Sequence, residues 1–178
     1  MLCLSRRDFA FGLATAVPVL VIPQQLFGAS AETRILRFTH LHTGERLEAE
    51  YFTGGAYRLD AVSAINHLLR DFRTDEVHAI DQNLLDLLHG LSTVTGTRPP
   101  YQVISAYRSP ATNRLLRQHS EGVAAHSLHM EGQAIDIRLA DVPLGQLRNA
   151  ALSIHRGGVG YYPASNFVHV DTGRVRTW

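Results

Sequence analysis

Two histidines and an aspartate in this chain carry the types and spacing of a metal site. His129 and Asp136 lie in one short segment, His129-Met130-Glu131-Gly132-Gln133-Ala134-Ile135-Asp136, and His169 lies in the strand-like run Phe167-Val168-His169-Val170-Asp171. Two imidazoles and one carboxylate make a three-ligand set for Zn2+ that leaves the fourth tetrahedral position open to water. That is the composition of catalytic rather than structural zinc. With a single carboxylate the centre keeps a net positive charge, which lowers the pKa of a bound water toward ~7 and polarises a carbonyl. Hydrolysis of an amide is the chemistry such a set suits. Chance spacing among 10 histidines is the competing explanation. An unpaired carboxylate in the apolar strand around Asp136 would be costly, and a salt bridge to Arg108 or Arg138 accounts for it as well as a metal does. His40, His42, His67, His78, His89, His119 and His155 lack comparable context and read as surface or satisfied core positions.

These residues need elements to bring them together. Residues 132–139 alternate as a strand does, so Asp136 faces one side while Ile135 and Ile137 face the other. Residues 159–162 and 167–171 form two further strands joined by a Pro163-containing turn, and in the last of them His169 and Asp171 share a face. Upstream, residues 34–40 and 46–52 flank a Thr43-Gly44 turn and read as a β-hairpin. Apolar stripes predict helices over 59–72, with Asp60 as N-cap, and over 81–95, with Gly96 as stop. Residues 101–107 are a β-rich run. Ser109-Pro110 then opens a helix to about Gln118, and a last helix fits 143–155. The expected class is α+β, with helices packed on a small, mainly antiparallel sheet.

The ends and totals restrict where such a domain works. Ser5-Arg6-Arg7-Asp8-Phe9, an apolar stretch from Phe11 to Phe27 and Ala29-Ser30-Ala31 read as a twin-arginine signal peptide with its cleavage site. A retained anchor is the alternative, against which stand the stretch's shortness and its breaks at Pro18 and Pro23. Cys3 precedes the apolar stretch, the wrong order for a lipid anchor. The expected division is therefore 1–31 as signal and 32–178 as one catalytic domain, without repeats or long linkers. Beyond residue 31 basic and acidic residues balance, which argues against a nucleic-acid partner. That part holds no cysteine, so it needs no disulfide in an oxidising compartment. The expected workplace is the periplasm, after export by the twin-arginine route. The cell wall is the commonest substrate there.

The run Ser105-Ala106-Tyr107-Arg108-Ser109, then Asn113, then Ser127 to Asp136, then Gly158 to Pro163 and Phe167 to Asp171 resembles the zinc D-alanyl-D-alanine peptidase superfamily. Within it the likeness is to exported murein endopeptidases, and it spans nearly the whole chain. The Ser-x-His-x-x-Gly-x-Ala-x-Asp pattern with a later His-x-Asp is the specific part. The resemblance implies zinc at His129, Asp136 and His169, and cleavage of peptidoglycan cross-links at meso-diaminopimelate. It also implies that Arg108 lies over the scissile carbonyl, where a guanidinium stabilises the oxyanion; a buried ion pair with Asp136 or Asp171 is the other role open to it. The general base departs from the family pattern. Some relatives place a glutamate three residues before the last ligand and others a histidine two before it, where this chain has Asn166 and Phe167. Asp171 is the first candidate to replace it, and an orienting role toward a ligand histidine suits it equally. His126 is the weaker candidate. Tyr161 and Tyr162 fit either a substrate groove or the core. The competing activities are a D,D-carboxypeptidase and a peptidoglycan-binding module without hydrolysis.

Overall fold

The computed structural model describes residues 32–119 and 124–178. The expected signal peptide lies outside them. In chain order the elements are β1 (Arg34–His40), β2 (Arg46–Thr53), β3 (Ala56–Tyr57), α1 (Leu59–Leu68), α2 (Gln82–Thr95), β4 (Tyr101–Ser105), α3 (Pro110–His119), a 3-10 turn (Leu128–Glu131), β5 (Ala134–Arg138), α4 (Leu144–Ser153), β6 (Gly158–Tyr162), β7 (Phe167–Asp171) and β8 (Arg176–Thr177). The strands form one sheet of eight in the order β3-β2-β1-β4-β5-β7-β6-β8.

The α+β class matches the expectation, while the sheet is larger than expected and mixed in direction. β4 runs parallel to β1, and β8 parallel to β6. The first parallel pair arises because α1 and α2 carry the chain over the sheet between β2 and β4, and a helical crossover lets a strand return in the same sense. The second arises because the segment after β7 turns back along β6. Sequence patterning missed the two-residue strands β3 and β8, which are too short to show alternation.

α1 ends at Leu68, short of the expected Phe72. Beyond it the backbone folds into a bridge between Asp71 and Glu76. The buried Asp71 carboxylate accepts from the Arg73 amide at 3.0 Å and the Ser109 amide at 2.9 Å. Phe72 leaves the helical stripe and stacks on His42, with centroids 4.2 Å apart. Arg58, not Asp60, holds the α1 cap position, and Asp60 instead pairs with Arg58 at 2.9 Å. The Ser109 cap agrees with the sequence, its Oγ accepting from the Thr112 amide at 3.2 Å, while Asp81, placed inside its helix by the sequence, instead caps α2 by accepting from the Asn83 amide at 2.9 Å.

The core gathers the apolar faces of the helices and sheet: Ile65 and Leu69, Leu84, Leu85, Leu88 and Leu91, and Leu147, against Leu36, Phe38, Tyr51, Ile135, Ile137, Val168 and Val170. In β5 and β7 the alternation leaves Asp136 and His169 on the opposite side from these core residues. The core fixes the backbone of both strands and leaves their other face for chemistry.

Candidate metal centre

The register of the sheet lines up the site. Ser105 in β4 pairs with Asp136 in β5, Asp136 with His169 in β7, and His169 with Gly160 in β6. Directly paired residues on antiparallel strands share a face, so Asp136 and His169 stand side by side. His129 arrives from the 3-10 turn below β5. Ser127 Oγ accepts from the His129 amide at 3.4 Å, and Gly132 ends the turn with a φ of 65°. At that position a Cβ would collide with the Ala79 carbonyl oxygen, so the turn needs glycine for space as well as for conformation.

Three atoms converge. His129 Nε2 lies 3.2 Å from His169 Nδ1, His169 Nδ1 lies 2.9 Å from Asp136 Oδ1, and His129 Nε2 lies 3.4 Å from Asp136 Oδ1. A tetrahedral ion with bonds of ~2.0–2.1 Å sets its ligand atoms about 3.3 Å apart. The triangle fits that spacing. The other nitrogen of each ring is held by the protein. His129 Nδ1 contacts the Ala106 carbonyl at 2.6 Å, and since a carbonyl only accepts, Nδ1 carries the proton and Nε2 keeps its lone pair. His169 Nε2 contacts Asp171 Oδ2 at 3.0 Å, which by the same logic frees Nδ1. Both tautomers offer a lone pair to the same point.

The electrostatics agree. Burial opposes ionisation of Asp136, yet His129 and His169 beside it hold the carboxyl well below the usual carboxylate range. Burial likewise opposes charge on His169, but Asp136 and Asp171 outweigh it and raise its pKa. The alternative ion pairs for Asp136 do not form: Arg138 donates to Gln102 at 2.7 Å, and Arg108 donates to Asn113 at 3.4 Å.

Asp171 is fully buried behind His169. Its oxygens accept from the Gly158 amide at 2.9 Å, the Gly173 amide at 2.8 Å and Arg176 at 2.7 and 3.1 Å, besides the contact with His169. Burial pushes its pKa up, but these donors win and hold it well below the usual range. Every lone pair faces a protein donor, an arrangement that suits an orienting group better than a proton acceptor.

The three converging atoms open onto a cleft of about 760 Å³ that Arg108, His126, Ser127, Tyr162, Phe167, Arg176 and Trp178 also line. Arg108 is tied to the ligand turn through its amide, which donates to the His129 carbonyl at 3.1 Å. Its guanidinium pairs with no carboxylate among the described residues, and its Nε is buried without a partner. Burial lowers its pKa, with Asp136 opposing. Tyr162 lines the cleft, whereas Tyr161 packs against the core beneath Arg148. Asn166 has a φ of 54° in the β6–β7 turn and donates its amide to the Pro163 carbonyl. The position is spent on the turn, and asparagine tolerates that conformation better than glutamate does. Sequence spacing missed Arg176 and Trp178, because neither has a ligand pattern; only the return of β8 along β6 brings them to the cleft.

A family model described as peptidoglycan L,D-endopeptidase MepK matches residues 28–178. The chain belongs to this peptidase family. Peptidoglycan L,D-endopeptidase MepK of Escherichia coli strain K12 is 45% identical over 167 residues, which cover 94% of this chain and 92% of that protein. The same named protein of Shigella flexneri gives the same figures, 45% over 167 residues. The probable MepK of Haemophilus influenzae is 42% identical over 168 residues, 94% of this chain and 90% of that protein. The similarity to MepK proteins thus takes in every residue of the His129–Asp136–His169 cluster and its cleft.

Proposed function

We propose that this protein is a zinc-dependent endopeptidase that cuts peptide cross-links of peptidoglycan, at bonds made by meso-diaminopimelate. The observation that carries the reading is the triangle of His129 Nε2, Asp136 Oδ1 and His169 Nδ1 on the floor of an open cleft. Membership of the MepK family supports the substrate class. Zinc bound there would supply a water acidified toward neutral pH and a Lewis acid for the amide carbonyl. The chain's own residues do the rest. Ala106 and Asp171 fix the tautomers of the two ligand rings. Arg108 offers unspent donors at the cleft wall to the oxygen that gains charge as the amide is attacked. Its backbone bond to His129 keeps guanidinium and ligand in one rigid unit. Asp171 acts through His169, as its positioning residue.

In this reading residues 1–31 are a twin-arginine signal and 32–178 the mature periplasmic domain. Sacculi digested with the zinc-loaded protein should lose cross-linked dimers, and a chelator should abolish the loss until Zn2+ is restored. Loss of terminal D-alanine with dimers intact would establish the carboxypeptidase alternative instead. Zinc-loaded protein that binds sacculi and releases no muropeptide would establish a non-catalytic wall-binding module.

A further inference from the structure

Beside the three ligands the cleft has an aromatic wall that the hydrolytic chemistry leaves unused. The Trp178 indole lies 5.2 Å from the His169 ring, centroid to centroid. Its Nε1 donates to the Tyr162 hydroxyl at 2.7 Å, and Tyr162 stacks on Phe167 with centroids 4.6 Å apart. Gly160, next to His169 in the sheet, leaves the room this indole fills: a Cβ there would lie 2.8–2.9 Å from three of its ring atoms. Arg176, which holds Asp171 behind His169, also lies over the indole at 4.8 Å. The ring is therefore fixed from beneath, from its nitrogen edge and by a cation, yet Trp178 remains 48% exposed. An indole so firmly held and still half open is a preformed contact surface, because little conformational entropy is lost when a ligand covers it. With Arg176 already supplying a cation to the ring, the indole surface left open suits an apolar group. Among the described cleft residues Asp136 supplies the one carboxylate, against the guanidinium groups of Arg108 and Arg176.

We infer that Trp178, braced by Tyr162, is a substrate-binding residue that seats the methylene arm of a diamino-dicarboxylic stem residue next to the scissile amide. The inference rests on the endopeptidase reading and deepens it. The arm is long, aliphatic and tipped by charge, so it can lie on the ring face while its polar end stays in the open cleft. Trp178 then determines which peptide is held, while the metal cluster and Arg108 act on the bond.

Trp178 is the sole tryptophan of the chain, so its emission reports directly on this wall. Zinc-loaded protein mixed rapidly with sugar-free, diaminopimelate-cross-linked peptide should show a saturable change in emission before turnover, with the same midpoint as calorimetric binding. Trp178→Ala should raise KM for that peptide about tenfold with kcat within about twofold. Trp178→Phe should recover part of the loss, with zinc content and melting temperature unchanged. Flat emission despite calorimetric binding overturns the inference and leaves the endopeptidase reading standing, as does an unchanged KM in Trp178→Ala. An emission change produced by the wall disaccharide and not by the peptide overturns it too. Protein that neither binds nor cleaves the peptide sinks both. If Trp178→Ala does not fold, the wild-type emission and Trp178→Phe decide.

Discussion

Each histidine of the proposed metal site spends one nitrogen on the protein and offers the other to the cluster, and the two supports differ in strength. His129 leans on a neutral carbonyl, whereas His169 leans on a carboxylate that four further contacts hold ionised. Replacing Asp171 by asparagine should weaken metal binding by about 10–100-fold, as the loss of such outer partners does elsewhere. Competition against a chromophoric chelator measures it. Unaltered affinity with lost turnover would return Asp171 to the proton-acceptor role. Arg108→Ala should behave differently. Its guanidinium touches no ligand, so zinc content should hold while kcat falls about 10²–10³-fold, the cost of an oxyanion donor; single-turnover kinetics on cross-linked peptide would show it.

Two turns, one inside the site and one outside it, set local stability. The 3-10 turn that delivers His129 is wedged against residue 79 at Gly132, where an added methyl meets backbone rather than a movable side chain. Gly132→Ala should therefore cost about 1–3 kcal/mol in urea unfolding and weaken metal binding with it, because His129 shares the turn. Two strands from β5, His40 closes β1 and is fully buried. Its Nδ1 accepts from the amides of His42 and Thr43 at 3.3 and 3.4 Å, shaping the β1–β2 turn. Burial, helped by His42, lowers its pKa from 6.5 to about 4. The unfolded chain takes up this proton at a higher pH than the folded one, so the folded state loses stability as pH falls from 6.5 to about 4 and no more below that. A His40→Gln variant should show a shallower loss across that window than the wild type when both are unfolded by urea, the difference isolating this residue from the carboxylates.

At the scale of the molecule the sheet divides labour between its faces. One face is closed by the α1, α2 and α4 core, and the other, at β5 and β7, carries a buried cluster of two imidazoles and two carboxylates. A cation held by three of these groups would add to the stability of the folded state. A metal held there would bind the folded chain alone, so stability should track metal concentration. Stripping the metal should lower the melting temperature by roughly 10 °C for a domain of this size, and Zn2+ should restore it in differential scanning calorimetry.

Local chemistry was legible in the sequence. The His129–Asp136 segment, the strand alternation around Asp136 and His169, the cap at Ser109 and the hairpin before α1 all depend on neighbours along the chain, and the sequence states neighbours. Contacts between distant segments were not legible. Whether Asp136 met Arg108, Arg138 or two imidazoles turned on the β5–β7 register. The end of α1 turned on Asp71 bonding to Ser109, far along the chain. The second role open to Asp171 was favoured by Arg176 and two backbone amides, and Trp178 reached the cleft because β8 pairs with β6. A side chain's type and its position on a strand fix what it can do, but which partner it meets depends on how strands far apart in sequence come to lie side by side, and no local pattern encodes that.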